Sequence, residues 1–291
     1  MIGLIGGTGL GEALFGETGG REHVVDTPFG RPSGPIRMVE WHGVEVALLA
    51  RHGDGHLLNP SQVPYRANIY ALKSLGVTHI LASGAVGSLR EEIKPRELVV
   101  VDQVIDKTYR RTPTFFDDGL AVHVEFAEPF CPDLRKLLLS VADKSGETVH
   151  PRGTYVCMEG PAFSTKAEAD MHRAWGADLI GMTVMPEAKL AREAEIAYAL
   201  VALVTDYDCW RPHEPGVSKQ KLLQEIIGHL KTATANAVGL LRAAIAAFAD
   251  QPPGVSTAHA ALELAIWSER KKISPKVAKK YGVLLEQYFK T

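Results

Sequence analysis

The chain has 291 residues, 46% hydrophobic and 23% charged, with a formal net charge of −2. That balance is globular, and so small a net charge gives no basis for a nucleic acid or an anionic membrane as partner. Cys131, Cys157 and Cys209 stand far apart with no C-x-x-C pair, which argues against a zinc site or a disulfide framework. The opening MIGLIGGTG lacks a basic leader, and no spanning run stands out, so a cytoplasmic protein without a metal is expected. One α/β domain over 1–250 with a C-terminal helical extension over 251–291, packed on the same domain, suits the length.

Ile2–Ile5 reads as a short buried strand running into Gly6, Gly7, Thr8 and Gly9. Glycines let backbone N–H groups approach an anion closely, and Thr8 adds a hydroxyl. Glycines at 3, 6 and 9 make a loose G-x-x-G-x-x-G. The stricter dinucleotide pattern fails at Glu12, and no lysine follows as a Walker loop requires. A plain strand-to-helix turn fits the stretch equally well.

Ile36–Glu40 and Val44–Ala50 flank His42–Gly43 as a hairpin. The second strand ends in Arg51, His52 and Gly53, where a guanidinium fork and an imidazole donor suit an oxyanion. Ser61–Leu75 has helical spacing, with Ser61 as cap and Gly76 as stop. Thr78–Ser83 is a buried strand expected to end in the small residues 84–88. Glu97–Val104 follows as another strand, and 108–130 is long, irregular and aromatic.

Asp133–Asp143 is an amphipathic helix, Gly153–Met158 a strand, and Ala177–Met182 a further short strand. Pro186 suits the first turn of a helix reaching Ala194. Ala197–Val204 is an apolar run that breaks abruptly into Thr205, Asp206, Tyr207 and Asp208. Ligands in open α/β sheets bind beyond the carboxyl ends of strands, so an aspartate pair there is a candidate site, although Asp also commonly caps a turn. Ser218–Phe248 is a long helix, 252–256 a loop, and His259–Tyr288 a final helical region interrupted near Ile273–Pro275.

Together GGTG at 6–9, RHG at 51–53, GAVGSLREEI at 84–93, AEPFCP at 127–132, EGPAFST at 159–165, GMTVMPE at 181–187 and TDYDCW at 205–210 resemble the 5′-methylthioadenosine phosphorylases. These form the trimeric branch of the purine nucleoside phosphorylase family. The resemblance covers roughly 2–248 and implies a single-domain α/β fold with a mixed central β-sheet flanked by α-helices. It also implies a homotrimer that takes nucleoside and inorganic phosphate, with no cofactor. Thr8, Arg51, His52 and Thr183, with the backbone of Ala85, match the phosphate positions. Met182 matches the residue against the ribose and Phe163 the one near the base, while Ser164, Asp206 and Asp208 match the purine positions. His123 matches a residue that reaches the neighbouring subunit's site near the 5′ substituent.

Two positions depart from that pattern. Gly84 stands where a hydroxyl residue facing phosphate is common, with Ser83 pointing to the opposite face. Lys219 stands where an apolar residue is usual, leaving Leu222, Leu223 and Leu284 to supply an apolar wall. The implied chemistry is phosphorolysis, in which phosphate attacks an oxocarbenium-like sugar while Asp206 neutralises the leaving base at N7. Burial against Phe163 beside Asp208 would raise the pKa that this role needs. A 6-oxopurine nucleoside or methylthioinosine phosphorylase is an alternative, although that group typically has Glu for Ser164 and Asn for Asp208. A nucleotide-cofactor-binding protein resting on 3–9 is a second alternative and leaves Arg51 and Thr183 unexplained.

Overall fold

The computed structural model describes residues 1–10, 13, 19–212 and 216–289. Among the described residues an eleven-stranded mixed sheet runs in the order β2 (Arg21–His23), β3 (Ile36–Trp41), β4 (Val44–Ala50), β1 (Ile2–Gly6), β5 (His79–Ser88), β10 (Leu179–Gly181), β9 (Thr154–Met158) and β7 (Gln103–Lys107), with β11 (Ala197–Tyr207) lying between β5 and β6 (Leu98–Val100), and β8 (Val149–His150) beyond β6. The strands that matter for the site are β1 (Ile2–Gly6), β4 (Val44–Ala50), β5 (His79–Ser88), β10 (Leu179–Gly181) and β11 (Ala197–Tyr207). Side chains alternate across a strand, and β11 shows why both faces must be covered. Ala197, Ala199, Val201 and Leu203 point into one core, and Tyr198, Leu200, Ala202 and Val204 into the other.

Helices that flank the sheet include α1 (Tyr65–Ser74), α2 (Pro132–Ala142), α3 (Lys166–Ala174), α4 (Val184–Glu193), α5 (Lys219–Asp250) and α6 (Pro275–Tyr281). Helices α1 and α4 cover one face together with Leu262, Tyr281, Leu284 and Leu285 of the C-terminal segment. Helices α2 and α5 cover the other. By length and composition α5 is apolar enough to cross a membrane. Its Ala233, Ala237, Leu240, Leu241 and Ile245 are instead buried against the sheet, as in a core helix.

Several elements differ from the sequence reading. Helix α1 begins at Tyr65, with Pro64 at its N-cap, because Ser61 is drawn elsewhere. The Asn59 Oδ1 accepts from the backbone N–H groups of Ser61 and Gln62 at 3.0 and 3.1 Å, and the Ser61 hydroxyl bonds Glu159. The small residues 84–88 do not end the strand; they continue β5, paired along β11 up to Tyr207↔Ser88. Likewise β11 passes Val204 through a bulge at Thr205. The 97–104 stretch divides into β6 (Leu98–Val100) and β7 (Gln103–Lys107).

The expected helix over 259–288 is mostly short 3₁₀ turns, with only α6 regular. Its backbone donors go to partners in the body: Leu262 N–H donates to Glu195 at 3.0 Å and Trp267 N–H to the Ala121 carbonyl at 3.0 Å. The hairpin is as read, with His42 and Gly43 both at positive φ between β3 (Ile36–Trp41) and β4, the conformation such a two-residue turn requires.

Candidate active site

The sheet divides along β5, and the division makes the site. Strand β1 pairs with His79–Ala82 and then stops, while Gly87 and Ser88 at the far end pair antiparallel with β10. The β5 edge between these pairings has lost its strand neighbour, and its polar groups need other partners. The Ser83 carbonyl accepts from Arg51 Nη1 at 2.7 Å, and the Ser83 hydroxyl accepts from Gly7 N–H at 3.4 Å. A side chain on Gly7 would meet Arg51 Nη1 and the Ser83 carbonyl at 2.8 Å, so only glycine lets β1 end this close.

Arg51 is fully buried at the end of β4. Its Nε and Nη2 donate to Glu187 Oε2 and Oε1 at 2.7 Å each, and the Tyr198 hydroxyl donates to Glu187 Oε1 at 2.8 Å. Burial works against the charge on Arg51, but the Glu187 carboxylate outweighs it and holds the guanidinium firmly protonated. One edge of the fork is thus already occupied, and the remaining N–H groups on Nη1 and Nη2 are those that can face an anion. Thr183 is buried at the start of α4, and its Oγ1 would lie 3.4 Å from a Cβ placed on Gly84. Thr8 is half-buried and Ala85 half-buried within β5.

The expectation for His52 needs correction. Its Nδ1 lies 2.8 Å from the Leu58 carbonyl, and a carbonyl only accepts, so Nδ1 carries the proton. Burial first, and then the neighbouring charge of Arg51, push its pKa down to about 4. At neutral pH the ring therefore presents Nε2 as an acceptor, not as the donor the sequence suggested.

The aspartates also differ from expectation. Asp206 is half-buried and accepts from the Thr205 hydroxyl at 2.6 Å. Asp208 is the buried member, and its Oδ2 has no hydrogen-bond partner among the described residues. Phe163 is 85% exposed, so within one chain it does not bury Asp206. Ser164 is nearby: its carbonyl accepts from Cys209 Sγ at 3.3 Å and its hydroxyl contacts Met158 Sδ at 3.8 Å. Met182 is half-buried over Gly160, where a Cβ would meet its sulfur at 2.6 Å.

Residues 1–246 match the family model for the phosphorylase superfamily. The chain belongs to that superfamily. Within it, the chain is 47% identical over 99% of its length to the S-methyl-5′-thioadenosine phosphorylase of Synechocystis sp., of which it covers 87%. It is also 48% identical over 80% of its length to the Xenopus tropicalis protein of the same name, covering 85% of it. A solved methylthioadenosine phosphorylase from an Antarctic soil metagenomic library superposes with a TM-score of 0.89 at 46% identity, each chain covered to 98%. The Schistosoma mansoni methylthioadenosine phosphorylase in complex with adenine gives 0.80 at 36% identity, over 86% of this chain and 92% of that one. This phosphorylase is therefore a member of the family its motifs resemble, with the mixed α/β fold of the purine nucleoside phosphorylase type.

Three buried residues of this phosphorylase escaped the sequence reading. Glu187 lay in a quoted motif without a role. Arg111, in the irregular segment, donates through Nη1 to the Met182 and Met185 carbonyls at 2.6 and 2.5 Å. It also pairs with Glu159, which receives the Tyr109 and Arg110 N–H groups at 2.8 and 3.2 Å. That network fixes the turn that carries Thr183.

His123 is exposed, stacked edge-on against Trp267 at 4.9 Å, and its N–H donates to the Ala265 carbonyl at 2.9 Å. Nothing within the chain joins it to the Arg51 cradle among the described residues. Leu284 is buried in the core and lines no open wall, whereas Leu223 is exposed on α5. Among the described residues no group of three or more His, Cys, Asp or Glu is placed to hold a metal ion. A separate cavity of about 720 Å³, lined by Lys73, Thr78, Glu195 and His259, opens at the opposite end of the strands.

Proposed function

We propose that this phosphorylase cleaves 5′-methylthioadenosine with inorganic phosphate, giving adenine and 5-methylthioribose 1-phosphate for purine and methionine salvage. The observation that carries the reading is the buried Arg51 held between Glu187 and the Ser83 carbonyl where the sheet divides, in a chain whose relatives bear that enzyme's name. Solved structures of the Schistosoma mansoni relative with adenine and with methylthioadenosine support the same substrate class.

In this reading Thr8, Thr183, the open side of Arg51 and the Ala85 backbone hold phosphate below the sugar, with His52 beside them. Positive charge grows on the sugar as the glycosidic bond lengthens, and the held phosphate offsets it electrostatically before attacking. Negative charge grows on the base. Asp206 meets it at N7 as a proton donor, directly or through water. The Asp208 Oδ2, without a partner among the described residues, accepts from the exocyclic amine, with Ser164, Phe163 and Met182 around base and ribose. His123 completes the 5′ end of a neighbouring copy's site in a homotrimer. Phosphate is a co-substrate, no organic cofactor takes part, and the setting is cytoplasmic.

Incubating the protein with methylthioadenosine, with and without phosphate, tests the reading. Adenine and a sugar 1-phosphate should appear only with phosphate. Free 5-methylthioribose at the same rate in phosphate-free buffer would make the protein a hydrolase.

A further inference from the structure

Three neighbouring parallel strands end at one level: β7 at Lys107, β9 at Met158 and β10 at Gly181, with Lys107↔Met158 and Gly181↔Cys157 as the last pairs. Beyond those pairs the ladder stops, and the carbonyls that follow need donors from elsewhere. Arg111, shortly past the end of β7, supplies them. Its Nη2 donates to the Glu159 carbonyl at 2.5 Å, and its Nη1 to the carbonyls of Met182 and Met185 at 2.6 and 2.5 Å. The Tyr65 hydroxyl, at the start of α1, lies 3.2 Å from the same Nη1. Nε lies 3.3 Å from Glu159 Oε1, and the two side chains are only 2% and 4% exposed.

Glu159 is itself fixed. Its carboxylate accepts from the Ser61 hydroxyl and from the Tyr109 and Arg110 N–H groups. Burial works against its charge, but these bonds and the Arg111 charge hold the carboxyl below its ordinary range. The guanidinium is thus a permanent cation seated on a fixed anion, and its remaining donors span two segments of chain. One, 159–164, leaves β9 and carries Phe163 and Ser164; the other, 182–185, leaves β10 and carries Met182 and Thr183. A planar fork with donors on three nitrogens suits such a span, whereas a lysine ammonium offers its donors from one point.

We infer that Arg111 ties the segment 159–164 to the segment 182–185, so that a purine base and inorganic phosphate strengthen each other's binding although they touch different segments. This rests on the reading above, in which Phe163 and Ser164 meet the base and Thr183 the phosphate, and it makes Arg111 a positioning residue. Whichever ligand enters first orders both segments through the shared guanidinium, and the second meets a site already ordered. By linkage the factor is the same in both directions.

Adenine and phosphate together contain no sugar, so their binding to the full chain is measured by calorimetry at equilibrium, without turnover. Saturating adenine should tighten phosphate binding at least about fivefold, the lower end of ordinary coupling between sites, and phosphate should tighten adenine by the same factor. In Arg111→Lys, which keeps the charge beside Glu159 but not the span, the factor should fall below about twofold. In the native chain adenine alone should slow amide exchange across 182–185, where the Met185 N–H lies 3.3 Å from Cys157 Sγ. That measurement needs no variant, and so stands even if the lysine chain fails to fold.

Phosphate affinity unchanged by adenine in the native chain would overturn the inference, as would exchange across 182–185 that adenine leaves alone. A merely structural arginine would weaken adenine and phosphate separately in Arg111→Lys and leave the coupling factor intact, which would equally reject it. Phosphorolysis and the tie fail separately. A chain that releases adenine only with phosphate but shows no coupling keeps the first and loses the second. One that releases it without phosphate loses the first, while exchange across 182–185 with adenine still decides the second.

Discussion

Arg51 and Glu187 meet as a bidentate pair, Nε and Nη2 each 2.7 Å from a different carboxylate oxygen, with both residues essentially excluded from solvent. A buried ion pair is weak evidence for stability, but breaking one partner away leaves an uncompensated charge. Here the pair does something more specific: it spends the Nε–Nη2 edge of the guanidinium on Glu187 and turns Nη1 to the Ser83 carbonyl. Glu187→Gln should lower stability by about 3–5 kcal/mol in denaturant unfolding, the usual cost of orphaning a buried charge. Bound phosphate would then supply part of the missing negative charge, so saturating phosphate should raise the Tm of the variant more than that of the native chain. Unchanged stability, or equal Tm shifts, would show that the pair does not set the charge state of the cradle.

Gly84 offers a second test. It lies in β5 without a positive φ, and a Cβ there would touch only the Thr183 Oγ1, at 3.4 Å, an ordinary contact distance. Ser83 does not stand in for the missing hydroxyl, because successive side chains of a strand point to opposite faces and its Oγ lies against Gly7 N–H at 3.4 Å. Gly84→Ser should therefore fit without displacing the backbone and add one donor beside Thr183. An added hydrogen bond to a charged group is worth about 1.5–3 kcal/mol at best, so the KM for phosphate should fall several-fold with kcat little changed. An unchanged or higher KM would mean that a hydroxyl at this position does not reach the anion.

How far the site was legible depended on whether its signal was local. Arg51 and His52 were visible because charge directly follows a buried apolar strand, and Asp206 and Asp208 for the same reason. The stretch 84–88 misled because glycines after an apolar run look like a turn. In the fold they are the one length of strand that must pass both β11 and the division of the sheet. The donor role given to His52 failed because a tautomer depends on one carbonyl, that of Leu58, which pattern cannot reveal. Glu187, Arg111 and Glu159 have partners brought from distant parts of the chain, and nothing in their spacing announces it. The segment over 259–288 was read as helix from composition. Its apolar residues instead enter the core as short turns whose N–H groups find acceptors on Glu195 and Ala121.

Glu193 gives a prediction about pH. It accepts from the Thr114 hydroxyl at 2.6 Å and from Phe115 N–H at 2.7 Å, and burial pushes its pKa up from 4.5 to about 7. Between those two values the folded chain holds a proton that the unfolded chain has released. This group's contribution is therefore fully present below about pH 4.5 and is lost as pH rises through 7, by on the order of 3 kcal/mol. His52 and His79, both pushed down to about 4 by burial, act in the opposite sense between 4 and 6.5, so the group is isolated by difference. Gln mimics the protonated acid, accepting from Phe115 and donating to the threonine. The stability gap between native chain and Glu193→Gln should thus widen in favour of the variant from pH 5 to pH 8. A constant gap across that range would show that Glu193 is not titrating within it.

The aspartate pair should separate into two functions. Asp206 lies at the β11 bulge with its Oδ1 taken by the Thr205 hydroxyl, a half-buried position that water can share. Asp208 is more deeply set, its backbone N–H fixed to the Ser88 carbonyl at 3.0 Å and its Oδ2 unpartnered among the described residues. A proton donor at N7 acts on the leaving group in the transition state, so Asp206→Asn should lower kcat by roughly 10²–10⁴-fold, the range for a positioned general acid. A carboxylate that reads the 6-amino group acts on recognition instead. It accepts from an amine and repels a carbonyl, whereas an amide can donate to the carbonyl. Asp208→Asn should therefore penalise methylthioadenosine more than methylthioinosine and narrow the difference in kcat/KM between them. Measuring both substrates with both variants distinguishes the two roles. Near-normal turnover in Asp206→Asn would remove it from N7, and an unchanged substrate ratio in Asp208→Asn would remove that residue from the exocyclic amine.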